Sequence, residues 1–102
     1  MEIVAKTDGE SLFVFLRGEM DEHSAQSARR IADDLADKHA RCERAVFDFE
    51  NVTFMDSTGI GFLIGRYKKF RRIGVPMYIR NPNPIADKIL AVSGVYSLIP
   101  RI

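Results

Sequence analysis

The sequence predicts an α/β fold: a mixed, mostly parallel sheet of four to five strands, with an antiparallel N-terminal edge hairpin and about three helices. Three observations carry this. Short β-rich runs alternate with segments whose apolar residues recur at helical spacing, which implies parallel strands joined by right-handed crossovers. The first two strand-like runs are separated by Thr7-Asp8-Gly9-Glu10, a hairpin signal because Asp-Gly tolerates positive φ. The runs Leu12-Phe13-Val14-Phe15-Leu16 and, apart from Asp48, most of 44–49 are apolar on both faces, as strands are when a sheet is covered on both sides.

Residues 3–6 and 12–17 form the hairpin strands, and Gly18 ends the second. Asp21 or Ser24 caps a helix running to about Lys38, with Ala25, Ala28, Ile31, Ala32 and Leu35 as its apolar stripe. Residues 44–49 form a third strand, and Val52 to Met55 a short extended run. Asp56 or Ser57 then caps a second helix to about Ile73, with Ile60, Leu63, Ile64, Tyr67 and Phe70 facing the core and Gly74 as its stop. Residues 76–80 form a fourth strand. Asn81-Pro82-Asn83-Pro84 is a turn entering a third helix to Val92, with Ile85, Ile89 and Val92 as its stripe and Gly94 as its stop. Residues 98–102 are a candidate last short strand. If the helices sit mainly on one face, something else must cover the other. Intramolecular cover is expected, and the chain is read as a monomer.

A chain of 102 residues, 46% hydrophobic and 28% charged, is expected to fold as one domain, 1–102, without disulfides or metal. Its formal net charge of +1 gives no general reason to bind nucleic acid or an anionic membrane. The single cysteine, Cys42, fits a reducing compartment and is read as a small filler where a helix leads into a strand. No signal peptide and no bilayer-length apolar run is visible, so the expected location is the cytoplasm.

Ligands and partners of parallel α/β sheets meet the edge where strands run into helices. Two loops belong to that edge, 18–24 and 51–61, and they are neighbours if the second and third strands pair. Ser57 stands at a helix start, where unpaired N–H groups welcome an anion, although an N-cap role alone would explain it. With the core face of the second helix set on Leu63, Tyr67 and Phe70, the opposite face carries Thr58, Gly61, Phe62, Gly65, Lys69 and Arg72. Two glycines there are costly, so a docking surface with Phe62 as anchor is expected, or else another helix of the domain packs against it. Arg66-Tyr67-Lys68-Lys69-Phe70-Arg71-Arg72 reads as a solvated helix end whose cations suit the helix dipole. His23, Ser57 and the acids Glu19, Asp21 and Asp56 supply triad residue types, but no G-x-S-x-G elbow surrounds Ser57, so no catalytic residue is assigned. Two histidines and one cysteine show no metal-ligand spacing, and Thr58-Gly59-Ile60-Gly61 lacks the P-loop lysine. No cofactor is expected.

Leu16-Arg17-Gly18-Glu19-Met20-Asp21 resembles the L-x-G-E-L-D turn of the STAS-domain anti-sigma factor antagonists. Phe47-Asp48-Phe49, Val52 and then Phe54 to Gly61 resemble that family's phosphorylation motif. Ser93-Gly94 followed by Leu98-Ile99 is similar to its C-terminal S-G-L signature, with Val95 where leucine is usual. Gly65-Arg66-Tyr67-Lys68 is similar to the sporulation branch. The resemblance implies a STAS fold and a partner-switching cycle without enzymatic activity of its own. The unphosphorylated protein would bind an anti-sigma factor that is also a serine kinase. That kinase would phosphorylate Ser57 and end the contact, and a metal-dependent, PP2C-like phosphatase would reverse it. The partner-binding residues expected are Asp21, Asp56, Ser57, Thr58, Gly59, Gly61, Phe62 and Gly65. The other reading is a STAS-like module sensing a nucleotide or small ligand. Relatives usually continue into one more helix, where this chain stops at Ile102.

Overall fold

The computed structural model describes residues 1–102. Strands β1 (Glu2–Asp8) and β2 (Ser11–Met20) pair antiparallel. Gly9 and Glu10 make the tight turn between them, and Gly9 takes the positive φ of 60° that a turn of this kind needs. Helix α1 (Glu22–Lys38) leads to β3 (Arg44–Met55), helix α2 (Ser57–Arg72) to β4 (Met77–Arg80), and helix α3 (Pro84–Ser93) follows. Both β2–β3 and β3–β4 are parallel, and the sheet order is β1-β2-β3-β4.

Three boundaries differ from the sequence expectation. β2 does not end at Gly18 but runs on to Met20. Gly18 adopts φ 101°, and pairing continues through Glu19–Phe54 and Met20–Met55 because β3 takes up an extra residue between Asp48 and Asn51 and another between Val52 and Phe54. The two extended runs 44–49 and 52–55 are one strand for the same reason, since each keeps a partner in β2. The expected last strand shrinks to a single bridge, Ile79 with Arg101, after a 3-10 turn at Val95–Ser97. Pro100 supplies a carbonyl to Ile79 N–H at 2.9 Å but has no N–H to continue a ladder.

The core lies on one face of the sheet. Leu12, Val14, Leu16, Ala45, Phe47, Phe49, Met77 and Ile79 meet the helices there. Phe47 is central: Phe62 and Phe70 of α2 meet its ring edge-on at 6.3 and 6.1 Å. On α3 the stripe of Ile85, Ile89 and Val92 is not the core face. Ala86 and Leu90 are buried, while Ile85 is 65% and Val92 82% exposed. Asn83 sets this rotation, because its side chain caps α3 at Ala86 N–H (2.9 Å) and also donates to the Val52 carbonyl.

No helix covers the other face, yet Val46 and Asp48 are buried on it. The register puts Lys6, Phe13, Val46 and Tyr78 in one row and Val4, Phe15, Asp48 and Arg80 in the next. The intramolecular cover is therefore a layer of side chains. The Arg80 guanidinium lies 4.7 Å from the Phe13 ring centre and 5.7 Å from that of Phe15, and Arg44 and Lys6 approach the same rings. Asp48 anchors Arg80 (2.9 Å) and Asn81 (3.0 Å), and it accepts the Glu50 N–H. Buried, this carboxylate is fully partnered.

The basic run of α2 is not wholly a solvated helix end. Arg66 is buried, its guanidinium 5.2 Å from the Phe62 ring centre and its Nε 2.8 Å from Asp33 of α1. Lys69 reaches Asp37 one turn further along, at 3.1 Å. These pairs hold α1 beside α2. The Arg66 side chain is 9% exposed and that of Asp33 35%. Asp33 alone can be hydrated, and Arg66 alone cannot. Asp33→Ala should therefore cost about 1–3 kcal/mol in denaturant unfolding. Arg66→Met, which keeps the packing volume, should cost less, and a reversed order would show that the pair does not hold this interface.

Candidate protein-binding and modification site

The pairing of β2 with β3 brings the two expected loops together. Asp56 N–H donates to the Met20 carbonyl at 3.3 Å, so the starts of α1 and α2 share one edge. Asp21 caps α1, accepting from the N–H groups of His23 and Ser24, each at 3.0 Å. Ser24 completes the capping box by accepting from Asp21 N–H (3.1 Å), and its hydroxyl donates to the Glu19 carbonyl (2.9 Å). The N–H groups of Ser24 and His23 hold the Asp21 carboxylate below its ordinary pKa, the Ser24 N–H contributing most.

Asp56 caps α2, accepting from Thr58 N–H at 2.8 Å. The N-cap explanation for Ser57 is thereby removed. Ser57 is the first residue inside the helix and is exposed. Thr58 is half-buried behind it. Two other expected contact residues face inward. Phe62 is 1% exposed and packs on Phe47, so it anchors the core and not a partner. Gly59 is buried, and a Cβ there would lie 2.6 Å from Met55 Cγ and 3.1 Å from Met20 Sδ. It is a glycine because α2 starts directly against the two methionines that end β2 and β3. The core face of α2 is Gly59, Phe62, Leu63, Arg66 and Phe70, rotated from the expected one.

Gly61 and Gly65 behave differently. A Cβ at either would meet nothing within 4 Å. Ser57, Gly61, Ile64, Gly65 and Lys68 follow one another at helical spacing on the outer side of α2, with Ile60 alongside. Ile60 and Ile64 are only partly buried. Sequence reasoning placed both in the core stripe. The signal available was the company of Phe62 with Arg66, which turns the helix once Arg66 has an acidic partner on α1.

The side chains of Asp21, Ser24 and Asp56 at this edge are engaged in capping the two helices. His23 is exposed and contributes its backbone N–H to Asp21, and none of these bonds joins it to Ser57. No group of three or more His, Cys, Asp or Glu side chains converges to hold a metal ion. A cleft of about 410 Å³ lies between the β1–β2 turn and the end of α1, and one of about 380 Å³ lies beside Tyr67, Met77 and Leu98. Neither includes Ser57 or Thr58. Burial pushes the Cys42 thiol up, away from the reactive range. No helix is long and apolar enough to cross a membrane.

Comparison with known proteins gives a consistent set of matches. The model of the STAS domain family matches residues 2–102. The chain is 36% identical over 89 residues to the anti-sigma F factor antagonist of Paenibacillus polymyxa, a match covering 87% of this chain and 75% of that protein. Its fold is similar to that of the anti-sigma factor antagonist SpoIIAA in its unphosphorylated form, with a TM-score of 0.78 and 22% identity over 99% of this chain and 88% of that one. The similarity to SpoIIAA of Bacillus in the phosphorylated form has a TM-score of 0.70 and 24% identity, covering 99% and 91% of the two chains.

Two predictions follow from the geometry of the helix starts. Gly59→Ala should destabilise the fold by about 1–3 kcal/mol, because Met55 and Met20 must move. Gly61→Ala and Gly65→Ala should each stabilise it by roughly 0.5–1 kcal/mol, because the added methyl groups meet no neighbour and improve helix propensity. Urea unfolding of the three variants decides this, and a destabilised Gly65→Ala would mean that α2 packs inward there. The second concerns acid. The folded-state pKa of Asp21 is lowered, so the unfolded chain binds more protons between the two pKa values. The stability contributed by this cap is complete above the unfolded value of 3.8 and is lost as pH falls through the lower folded value. Asp21→Asn keeps a capping oxygen but cannot titrate, so its unfolding should depend less on pH in that acid range than that of the wild type.

Proposed function

Because the chain belongs to the STAS domain family, among its anti-sigma factor antagonists, we propose that it is a regulatory binding module, switched at Ser57. Unmodified, it binds an anti-sigma factor that carries serine kinase activity and so releases a sigma factor. The contact surface consists of Ser57, Thr58, Gly61 and Gly65, with Ile60 and Ile64 alongside and Asp21 and Asp56 at the neighbouring helix starts. Phosphorylation of Ser57 by the bound kinase ends the contact, and a PP2C-like phosphatase restores it. A cytoplasmic location follows from that partnership.

The observation that carries this reading is the division of labour at the start of α2. Asp56 does the capping, and the Ser57 side chain stands exposed on the same side of α2 as Gly61 and Gly65, over which the space is open. A kinase can reach this hydroxyl without unfolding the helix. A phosphoryl group there adds about −1.5 to −2 charges. Inside the free protein the helix start tolerates that anion, because its N–H groups and dipole favour negative charge. Against a partner the same group must be desolvated next to Asp56. Loss of affinity therefore arises at the interface and leaves the fold intact.

Ser57→Ala should bind the kinase partner as wild type does and stay bound when ATP is added. Ser57→Asp should bind more weakly, although one carboxylate imitates a phosphate incompletely. Gly65→Arg should remain folded and lose binding. Partner affinity and a thermal melt are measured for wild type, each variant and the phosphorylated protein. A loss of a few kcal/mol, with about 1.4 kcal/mol for each tenfold, is expected on phosphorylation, with little change in the melt. Equal affinity before and after phosphorylation would refute the switch, and a large drop in melting temperature would show that it works by unfolding.

A further inference from the structure

The free edge of the sheet is β1. It pairs with β2 on one side only, and none of the remaining backbone or side-chain hydrogen bonds reaches residues 1–8. An open strand edge of seven residues is a template for another strand. Two exposed apolar side chains flank it. Val4 is 45% exposed on the open face of the sheet, and Ile31 is 40% exposed on α1. Helix α1 lies over β1 and β2. At about 100° per residue, Ile31 stands on the flank of α1 opposite Asp33, which faces α2. Ile31 is therefore turned toward the β1 side of the molecule.

We propose that β1 is a homodimer interface, in which two copies pair their β1 strands antiparallel about a two-fold axis at Val4. The occupant is a second copy because the edge is complementary to itself in that register. Residues whose numbers sum to eight face one another. Val4 meets Val4 of the second copy, Ile3 meets Ala5, and Glu2 meets Lys6 twice over. Opposite charges directly across a strand pair are favourable. The next register, centred on Ala5, sets Glu2 against Asp8 and Val4 against Lys6, which is unfavourable on both counts. Registers centred on a whole residue are the ones a two-fold axis allows, since it must keep each side chain on its own face. The same axis lays α1 beside α1 of the second copy, with Ile31 facing Ile31 across it. Small Ser27, one turn earlier on the same flank, leaves room for that approach. The outer face of α2 is separated from this seam by α1, so the dimer presents two Ser57 surfaces. The proposal departs from the monomer expected from the sequence and stands independently of the switch.

Sedimentation equilibrium of the full chain over a wide concentration range tests the proposal. The wild type should pass from one chain to two as concentration rises. Glu2→Lys and Lys6→Glu each turn both cross-strand ion pairs into like-charge pairs and should weaken association by about tenfold or more. Mixing the two variants places opposite charges across the axis again, and the mixture should associate as heterodimers. Thermal melts of each variant check that it is folded. If either charge variant is not, Ile31→Glu, on the other side of the sheet, should give the same loss. A wild type that stays a single chain throughout overturns the proposal. So do charge variants that associate as well as the wild type, and so does a mixture that fails to recover.

Discussion

The parallel pairing of β2 with β3, carried as far as Met20 and Met55, is the constraint on which the rest depends. It joins the two ends from which α1 and α2 start and ties them through the Asp56 N–H and the Met20 carbonyl. The two methionine side chains then form the surface on which the first turn of α2 rests, and only a residue without Cβ fits over them at position 59. From that contact the phase of the whole helix follows. Phe62, Leu63, Arg66 and Phe70 go inward, and Ser57, Gly61 and Gly65 go outward. The exposure of the serine is thus a consequence of strand register, which the extra residues of β3 opposite Phe15–Arg17 and Gly18–Glu19 let continue to Met20 and Met55.

The same sheet shows how two apolar faces can be satisfied by one layer of helices. Strands β2 and β3 read as buried on both sides, and both are. On the helix side the cover is α1, α2 and α3. On the other it is Phe13, Phe15 and Tyr78, with the cationic ends of Arg44, Arg80 and Lys6 over the two phenylalanine rings. Cationic side chains can do this because a guanidinium or ammonium is attracted to an aromatic face, and the Arg80 end is also partnered by Asp48. Runs apolar on both faces identified the need for cover but not its source, since Arg80 and Arg44 carry no periodic signal of their own.

The element order, the hairpin turn at Asp8-Gly9 and the turn into α3 were legible because each rests on local chemistry, and the first two helix caps were narrowed to Asp21 or Ser24 and Asp56 or Ser57. The Leu16 to Asp21 and Phe54 to Gly61 motifs also located the candidate site. What was not legible depends on contacts distant in sequence. Phe62 reads as outward when the helix is phased on Tyr67, and the seat of Gly59 on Met20 and Met55 together with the Arg66–Asp33 pair corrects it. Ile85 and Val92 look like a core stripe, but Asn83 reaching the Val52 carbonyl turns α3 so that Ala86 and Leu90 are buried in their place. Gly18 reads as a strand end, although β3 beside it takes up an extra residue and keeps the pairing going to Met20.

The glycines of α2 give the last step. Each costs a helix about 1 kcal/mol relative to alanine. At position 59 the cost is offset inside the molecule, because any side chain would collide with Met55 and Met20. At 61 and 65 nothing inside the molecule offsets it, for the space above them is empty. A helix that carries Phe62, Leu63 and Phe70 on its buried side can bear roughly 2 kcal/mol of lost propensity without unfolding. The internal structure gives no return for that loss. A partner does, if its backbone or a flat side chain lies directly against the helix between Ser57 and Lys68. Close approach also brings the Ser57 hydroxyl into a desolvated contact, where a phosphate has the largest effect. On the proposed reading, two features that look unrelated in the sequence, a pair of weakly helical residues and a serine that caps nothing, have one explanation on one face of α2.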